Sequence, residues 1–299
     1  MDKNLVCRVC GEESIKVNNL YRERFNTRIY LYKCGGCNSV YIEPVATQGE
    51  TMSSYNTAYY RKPLIGKLIS LVNKVDLYKD IRFIEKILKN RKNVRVLDIG
   101  CGSGEFSELL DKSFYCYGVD GSKEAIDLAS RAHANRVGGW DYSIVNLFEV
   151  SEVSEVSDKK FDLIILRNIV EHFVIYEKLL SIAASNLADN GIVFIRAPNP
   201  ESKMLHRYQL NWYMFDDPTH VNFVSLNVLE NKCKHYGLSL YKKTFVSSGL
   251  LAHYRSQGRT IFSFLSNIFL FLRDFFFNSQ SEYTVVFIKK TFLGICIMV

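Results

Sequence analysis

The apolar stretch Val94–Ile99 breaks at Gly100 into glycines at every second position, Gly100, Gly102 and Gly104. A strand that ends in such a turn belongs to an open α/β sheet, and ligands of these sheets sit at the carboxyl ends of the strands. Glycine has no Cβ, so the turn can take unusual dihedrals and admit a ligand close to the peptide plane. Phe106, Leu109 and Leu110 follow at helical spacing and predict an amphipathic helix directly after the turn. The stretch reads as a nucleoside-binding turn between a strand and a helix.

Dinucleotide folds also begin this way, and spacing separates the two readings. The fingerprint G-x-G-x-x-G/A needs a small sixth residue, which is Glu105 counted from Gly100 and Ser107 counted from Gly102. A carboxylate would repel a pyrophosphate there. Asp98 at the strand end and Glu105 after the turn suit a ligand that carries an amine or a sulfonium. Cys116–Asp120 is a second apolar strand, and Asp120 at its tip can accept hydrogen bonds from both hydroxyls of a ribose. Ser122 is placed to cap the next helix, with Ala125, Leu128, Ala129 and Ala132 on one face. Phe161–Leu166 reads as a fourth strand, followed by Arg167, Asn168, Glu171 and His172 and then a helix carrying Leu180, Ala183, Ala184 and Leu187. Gly191 is expected to end that helix, and Ile192–Ile195 to form a fifth strand. Leu238–Phe245 and Tyr283–Ile288 fit a closing antiparallel pair.

Residues of about 92 to 200 resemble the class I S-adenosylmethionine-dependent methyltransferases. Residues 96–104 match V-L-D-x-G-x-G-x-G, residues 161–172 match F-D-x-I-x-x-x-x-x-x-E-H, and Leu187 to Gly191 match L-x-x-x-G. The resemblance implies a Rossmann-like sheet with helices on both faces. It also implies S-adenosylmethionine as cofactor, held by Asp98, Gly100, Gly102, Gly104 and Asp120, with Asn146 and Arg167 at neighbouring strand ends. Asn146 stands where the family commonly has an acid. In the sugar and ubiquinone-precursor methyltransferases the Glu-His pair lies at the acceptor pocket. By that likeness His172, beside Glu171, is the base for an acceptor hydroxyl, since imidazole titrates near working pH. The alternative is a structural histidine that holds the following helix. The stretch 216–225 looks like a family segment ahead of a late helix and adds His220 to the pocket. A carboxylate with two imidazoles could also hold a divalent ion, as in small-RNA 2′-O-methyltransferases. That family has a further glutamate where this chain has Asn168, which speaks against a catalytic metal.

The amino-terminal part reads as a separate unit. Cys7 and Cys10, then Cys34 and Cys37, form two C-x-x-C knuckles with room for a β-hairpin between them. Four thiolates complete a closed tetrahedral zinc site, a structural one with no open position. Residues 1–45 hold too little apolar material for their own core, so the ion would supply much of their folding energy. Disulfides are the alternative, though nothing suggests export. Cys101, Cys116, Cys233 and Cys296 lie in apolar segments and read as reduced core residues. The expected organisation is a zinc-ribbon-like unit at 1–45, a helical lead-in at 46–92, and a methyltransferase domain at 93–299 with an apolar helical insertion at about 258–278.

A chain of 299 residues, 47% hydrophobic and 23% charged, is ordinary for a globular cytoplasmic enzyme. The net charge of +7 is uneven, with eleven Lys or Arg from Arg61 to Arg95 against Asp76, Asp80 and Glu85. Those charges read as the solvated side of helices, or as a contact for phosphates or an anionic membrane. Ile261–Leu272 is aromatic and apolar, but Arg273 and Asp274 interrupt it short of the ~20 residues that cross a bilayer. Peripheral contact with the inner face of the membrane through 261–277 stays open beside packing or interface burial. The expected acceptor is a small molecule, sugar or glycan, through a hydroxyl, in polysaccharide or secondary-metabolite assembly. The alternatives are an RNA methyltransferase that grips phosphates with the zinc unit and basic helices, and a non-catalytic cofactor-binding module. No D/N-P-P-Y/F stretch follows the fourth strand, which disfavours attack by an exocyclic base nitrogen.

Overall fold

The computed structural model describes residues 5–24, 27–47, 49–51, 66–89, 91–133, 139–148, 158–209, 212–215, 217–246 and 280–289. The aromatic stretch 261–272, and with it the whole of the expected insertion at about 258–278, lies outside the described residues.

The chain opens with β1 (Leu5–Val6), β2 (Glu13–Arg24), β3 (Thr27–Cys34) and β4 (Val40–Glu43), followed by helix α1 (Gly66–Ile87). Strands β5 (Arg95–Ile99), β6 (Tyr115–Asp120), β7 (Trp140–Ile144), β8 (Phe161–Arg167) and β9 (Leu187–Pro198) come next. Helices α2 (Lys123–His133) and α3 (Glu177–Asn186) precede β7 and β9 respectively. After α4 (Lys203–Tyr208), β10 (Asn222–Phe223) and α5 (Leu226–His235), the described chain closes with β11 (Leu238–Val246) and β12 (Glu282–Lys289).

Among the described residues, seven strands form the main sheet in the order β11-β12-β9-β8-β5-β6-β7. The run from β9 to β7 is parallel, and β12 and β11 add the expected antiparallel pair. The first parallel strand, β5, lies between β6 and β8, so the strand order reverses beside it and opens a crevice at the carboxyl edge. Alternate residues of each inner strand feed two cores, which is why these strands read as unbroken apolar runs. Leu97, Ile99, Ile164 and Val193 face α3 and α5, whereas Val96, Leu163, Ile165 and Phe194 face α1. Helix α1 buries Leu77, Ile81, Ile84 and its neighbour Leu88. Asp80 lies on that same face and is buried too, so the lead-in does not place all its charges in solvent.

Three expectations are corrected. After Gly104 the chain makes only a single 3-10 turn, Ser107–Leu109, instead of an amphipathic helix. Phe106 and Leu110 are buried as a helix would have them, but Leu110 is already extended and Asp111 accepts from the backbone and hydroxyl of Ser113, which turns the chain. Gly191 does not cap a helix: α3 ends at Asn186, Leu187 already pairs with Phe161, and the left-handed position is Asn190 at φ 58°. On α2 the buried face is Ala125, Ile126, Ala129 and His133, with Leu128 exposed. Its cap is as expected, Ser122 Oγ accepting from the Ala125 amide at 3.2 Å.

The amino-terminal strands form a second sheet, β1-β2-β3-β4-β10, whose last member comes from far along the chain. The hairpin between the knuckles is β2 with β3. One face of this sheet, through Ile29, Leu31, Val40 and Ile42, packs on Met204, Trp212, Met214, Phe215 and Phe223. The other face, through Cys7, Val9, Tyr32 and Tyr41, joins the core of the main sheet. The described side chains of residues 6–45 thus pack into shared cores on both sides of this sheet.

Candidate functional site

The glycine turn sits at the crevice. The Gly100 amide donates to the Val119 carbonyl at 2.8 Å, tying the turn to the adjacent strand, and a Cβ on Gly100 would stand 2.6 Å from Ile169. Gly102 is different. Its φ is 54° and nothing lies within 4 Å of where its Cβ would be, so its face is bare backbone beside open space. A Cβ on Gly104 would press on His133 and Tyr142 at 2.9 Å, so this glycine serves close packing against α2 and β7.

Asp120 ends β6. One carboxylate oxygen accepts from the Gly102 amide at 2.9 Å and the other from the Ser122 amide at 2.8 Å. Burial raises its pKa while these amides oppose the rise. Its oxygens retain acceptor capacity beyond those two bonds. Asp98 is 3% exposed and accepts from the Ser107 hydroxyl beneath the turn; desolvation pushes it up to about 6. Asn146 accepts from the Phe148 amide at 3.3 Å, just past β7. Arg167 lies over the Phe106 ring, 5.4 Å from its centroid, with Nε 3.4 Å from Asp80. Burial and the nearby Arg196 charge lower its pKa.

The second half of the site gathers Glu171, His172 and His220. Glu171 and His172 occupy the 3-10 turn Val170–His172 after β8, and the Glu171 carbonyl accepts from the Val221 amide at 2.8 Å. The two imidazoles meet edge to face with centroids 4.7 Å apart, and Glu171 Oε1 lies 4.0 Å from His220 Nε2. One ligand-type atom from each of the three falls within 4.8 Å of the others. Asn168, at the position of the missing glutamate, turns its amide to Glu282 at 2.9 Å and to Glu171 Oε1 at 3.4 Å.

The hydrogen bonds fix how His172 is held. Thr219 Oγ1 donates to Asp217 Oδ1, so His172 Nδ1, 2.8 Å from Thr219 Oγ1, must be the donor in that contact. The neutral ring then has its lone pair on Nε2. His220 Nδ1 donates to the Met214 carbonyl at 2.6 Å, with the same result. Burial, with His220 adding to it, lowers His172 to about 3, well below the near-neutral value expected of a free imidazole. Burial likewise pushes Glu171 up to about 8, and the His220 and His172 rings hold Asp217 down to about 2 despite its burial.

The cysteines converge. Cys7 and Cys37 Sγ are 3.9 Å apart, Cys10 and Cys34 Sγ are 3.4 Å apart, and all four sulfurs lie within 4.8 Å of one another. A tetrahedron of thiolates about 2.3 Å from one zinc ion has edges of about 3.8 Å, so the donor set fits such an ion. These separations are far beyond an S–S bond. Backbone amides of Val9 and Cys37 donate to Cys7 and Cys34 sulfur, each at 3.4 Å, as in metal knuckles.

The family described as "Methyltransferase domain" matches residues 74–243, more than half of the chain. The protein belongs to the methyltransferase family. It is similar to the "Ubiquinone biosynthesis O-methyltransferase" of Pelagibacter ubique, 30% identical over 177 residues, covering 56% of this chain and 71% of that protein. The protein of the same name from Rhizobium etli is 32% identical over 114 residues, 38% of this chain and under half, 44%, of its own length. Among solved structures, YcgJ from Bacillus subtilis superposes with TM-score 0.54 at 22% identity, over 72% of this chain and 99% of that one. The magnesium protoporphyrin IX methyltransferase of Synechocystis, solved with bound S-adenosylhomocysteine, gives 0.55 at 13% identity over 80% and 97%. These two likenesses show the Rossmann-like methyltransferase fold. The methyltransferase uses S-adenosylmethionine, and its turn fits that cofactor: Gly102 offers a bare backbone face beside the Asp120 carboxylate.

Sequence reasoning missed three residues of the methyltransferase's second half. Arg8, inside the first knuckle, donates to the Val221 carbonyl at 2.6 Å, Asn222 Oδ1 at 2.7 Å and Glu43 at 2.7 Å. Arg196 and Glu282, on β9 and β12, are buried charges that reach the pocket through Asn168. A lone arginine between two cysteines and a charge inside each of two apolar strands were the available signals.

Proposed function

We propose that the enzyme methylates a hydroxyl group of a small-molecule acceptor, a sugar or glycan among the candidates, with His172 as the base. The observation that carries this reading is the chain Asp217–Thr219–His172, which orients the ring and puts the lone pair of the neutral imidazole on Nε2, beside Glu171 and His220. Gly100, Gly102, Gly104, Asp98, Asp120, Asn146 and Arg167 would hold the cofactor at the carboxyl edge of β5 to β8. S-adenosylmethionine supplies a methyl group on a positively charged sulfur, so in-line displacement demands alignment more than covalent help.

In taking that methyl group the acceptor hydroxyl would give up its proton, and His172 Nε2 would receive it. Glu171 and His220 would orient the acceptor, Glu171 as a neutral acid near pH 7. The burial that keeps His172 neutral also makes it a weak base, so an acidic hydroxyl such as a phenol suits it better than an alkyl alcohol. The relatives named as ubiquinone biosynthesis O-methyltransferases support oxygen as the attacked atom. The four-sulfur cluster would hold one structural zinc ion in a reducing compartment such as the cytoplasm.

The test is incubation with labelled cofactor and a panel of phenols, nucleotide-sugars, glycolipids and RNA. Label transfer to a hydroxyl is expected, and its loss in His172→Ala. Transfer to nitrogen or carbon, or undiminished transfer by the variant, would overturn the reading.

A further inference from the structure

We propose that Glu282 is a positioning residue of the acceptor pocket: shared between Arg196 and Asn168, it fixes which end of the Asn168 amide faces Glu171. This deepens the hydroxyl-methylation reading and rests on it for its kinetic arm.

Glu282 is 4% exposed on β12. Its Oε2 accepts from Arg196 Nη2 at 2.6 Å and its Oε1 from Asn168 Nδ2 at 2.9 Å. Arg196 is itself buried and donates through Nη1 to Asp80 Oδ2 at 2.7 Å, so the guanidinium already has one carboxylate partner. A second buried carboxylate is costly when its only work is to balance that arginine. Its other oxygen instead reaches Asn168. An ionised carboxylate only accepts, so the NH2 end of Asn168 must face Glu282 and its Oδ1 must turn elsewhere.

That choice propagates. Asn168 Nδ2 also lies 3.4 Å from Glu171 Oε1, which is thereby cast as an acceptor. Any proton on Glu171 then sits on Oε2, a buried oxygen with no protein hydrogen-bond partner among the described residues. Oε2 becomes the atom that can donate to a bound acceptor. The backbone locks the arrangement: Asn168 has φ 51°, and its amide donates to the Arg196 carbonyl at 2.9 Å. The charged or titratable groups facing Glu171 are Glu282 and Tyr283 from β12, Asp217 and His220 from the loop before β10, and His172 beside it.

The experiment compares Glu282→Gln, Asn168→Gly and the double variant in the full-length protein. Glycine keeps the left-handed backbone of residue 168 while removing the amide. Glu282→Gln is expected to lower kcat about tenfold, on the scale of lost outer partners of an active-site group, with S-adenosylhomocysteine affinity within about twofold of wild type. If Glu282 acts through Asn168, the double variant is no slower than Asn168→Gly alone. Independently of turnover, the carboxyl 13C signal of Glu171, assigned with Glu171→Gln, should titrate at higher pH in Asn168→Gly, because a donor to its ionised form is gone. Wild-type kcat in Glu282→Gln, fully multiplied losses in the double variant, or an unmoved Glu171 midpoint would each overturn the proposal. A wild type that methylates no hydroxyl defeats the functional reading alone, and the titration still decides whether Asn168 donates to Glu171, the link through which Glu282 would act.

Discussion

The two halves of the site are built in different ways. The proposed cofactor half is built mainly from one contiguous stretch: Asp98, the three glycines and Asp120 lie within 23 residues, the turn hydrogen-bonds to the strand beside it, and only Asn146 and Arg167 come from elsewhere. The proposed acceptor half joins Glu171 and His172 to Thr219 and His220, 47 residues on, with Glu282 farther still, and Arg8 of the first C-x-x-C knuckle pins the backbone beside His220. Local geometry sustains the first half, so it tolerates distant change. The second is held only by packing between distant segments and should fail when any of them is released.

The sharpest break between the halves should come from His172→Ala. Turnover is expected to fall ~100- to 10,000-fold, as for loss of a general base, with cofactor affinity unchanged in calorimetry. Next in size is removal of the zinc by chelation or Cys34→Ser. Metal analysis should show about one ion per chain before and none after. Turnover should drop about 100-fold, because Arg8 no longer fixes Val221 and Asn222 and a shift of 1 Å at a reacting group is that costly. Cofactor affinity should change far less, and an equal loss in both measurements would dissolve the distinction between the halves.

Asp120→Ala should do the converse. It removes an acceptor of charge-assisted bonds and should weaken cofactor binding by about 1–3 kcal/mol while leaving the titration of Glu171 untouched. An affinity equal to wild type would remove Asp120 from the cofactor half.

The smallest effect is in stability against pH. Glu171 has its folded pKa raised to about 8, so its contribution is full below the unfolded value near 4.5 and is lost as pH rises through 8. His172 is lowered to about 3, so its contribution is lost as pH falls from 6.5 toward 3. Between pH 6.5 and 8 only the Glu171 slope remains of these two. Urea unfolding should show wild-type stability declining over that window and a flatter course in Glu171→Gln; parallel curves would show that burial does not keep Glu171 protonated.

Much of the parallel sheet was legible because buried strands carry unbroken apolar runs, and Val94–Ile99, Cys116–Asp120 and Phe161–Leu166 are such runs. The helix expected after the turn was not there, since three apolar residues at helical spacing fit one 3-10 turn as well as a helix, and the Asp111–Ser113 turn decided between them. The C-x-x-C pair foretold a cluster whose sulfurs do converge. Nothing in it foretold that β10 would complete the knuckle's sheet. The sequence placed His172 beside Glu171 and expected it to titrate near neutrality; burial, a tertiary property, lowers it to about 3.

By itself the sequence determined the apolar strands β5, β6 and β8, the glycine turn with Asp120 on the strand after it, and the four convergent thiolates, all consequences of short-range spacing and backbone freedom. The tertiary structure alone decided that Asp80, Arg196, Glu282 and Asn168 would meet behind Glu171, and that the amino-terminal sheet would brace the loop of His220. Such meetings unite residues as many as 214 positions apart, and a buried charge goes wherever its partner is, which no local pattern records.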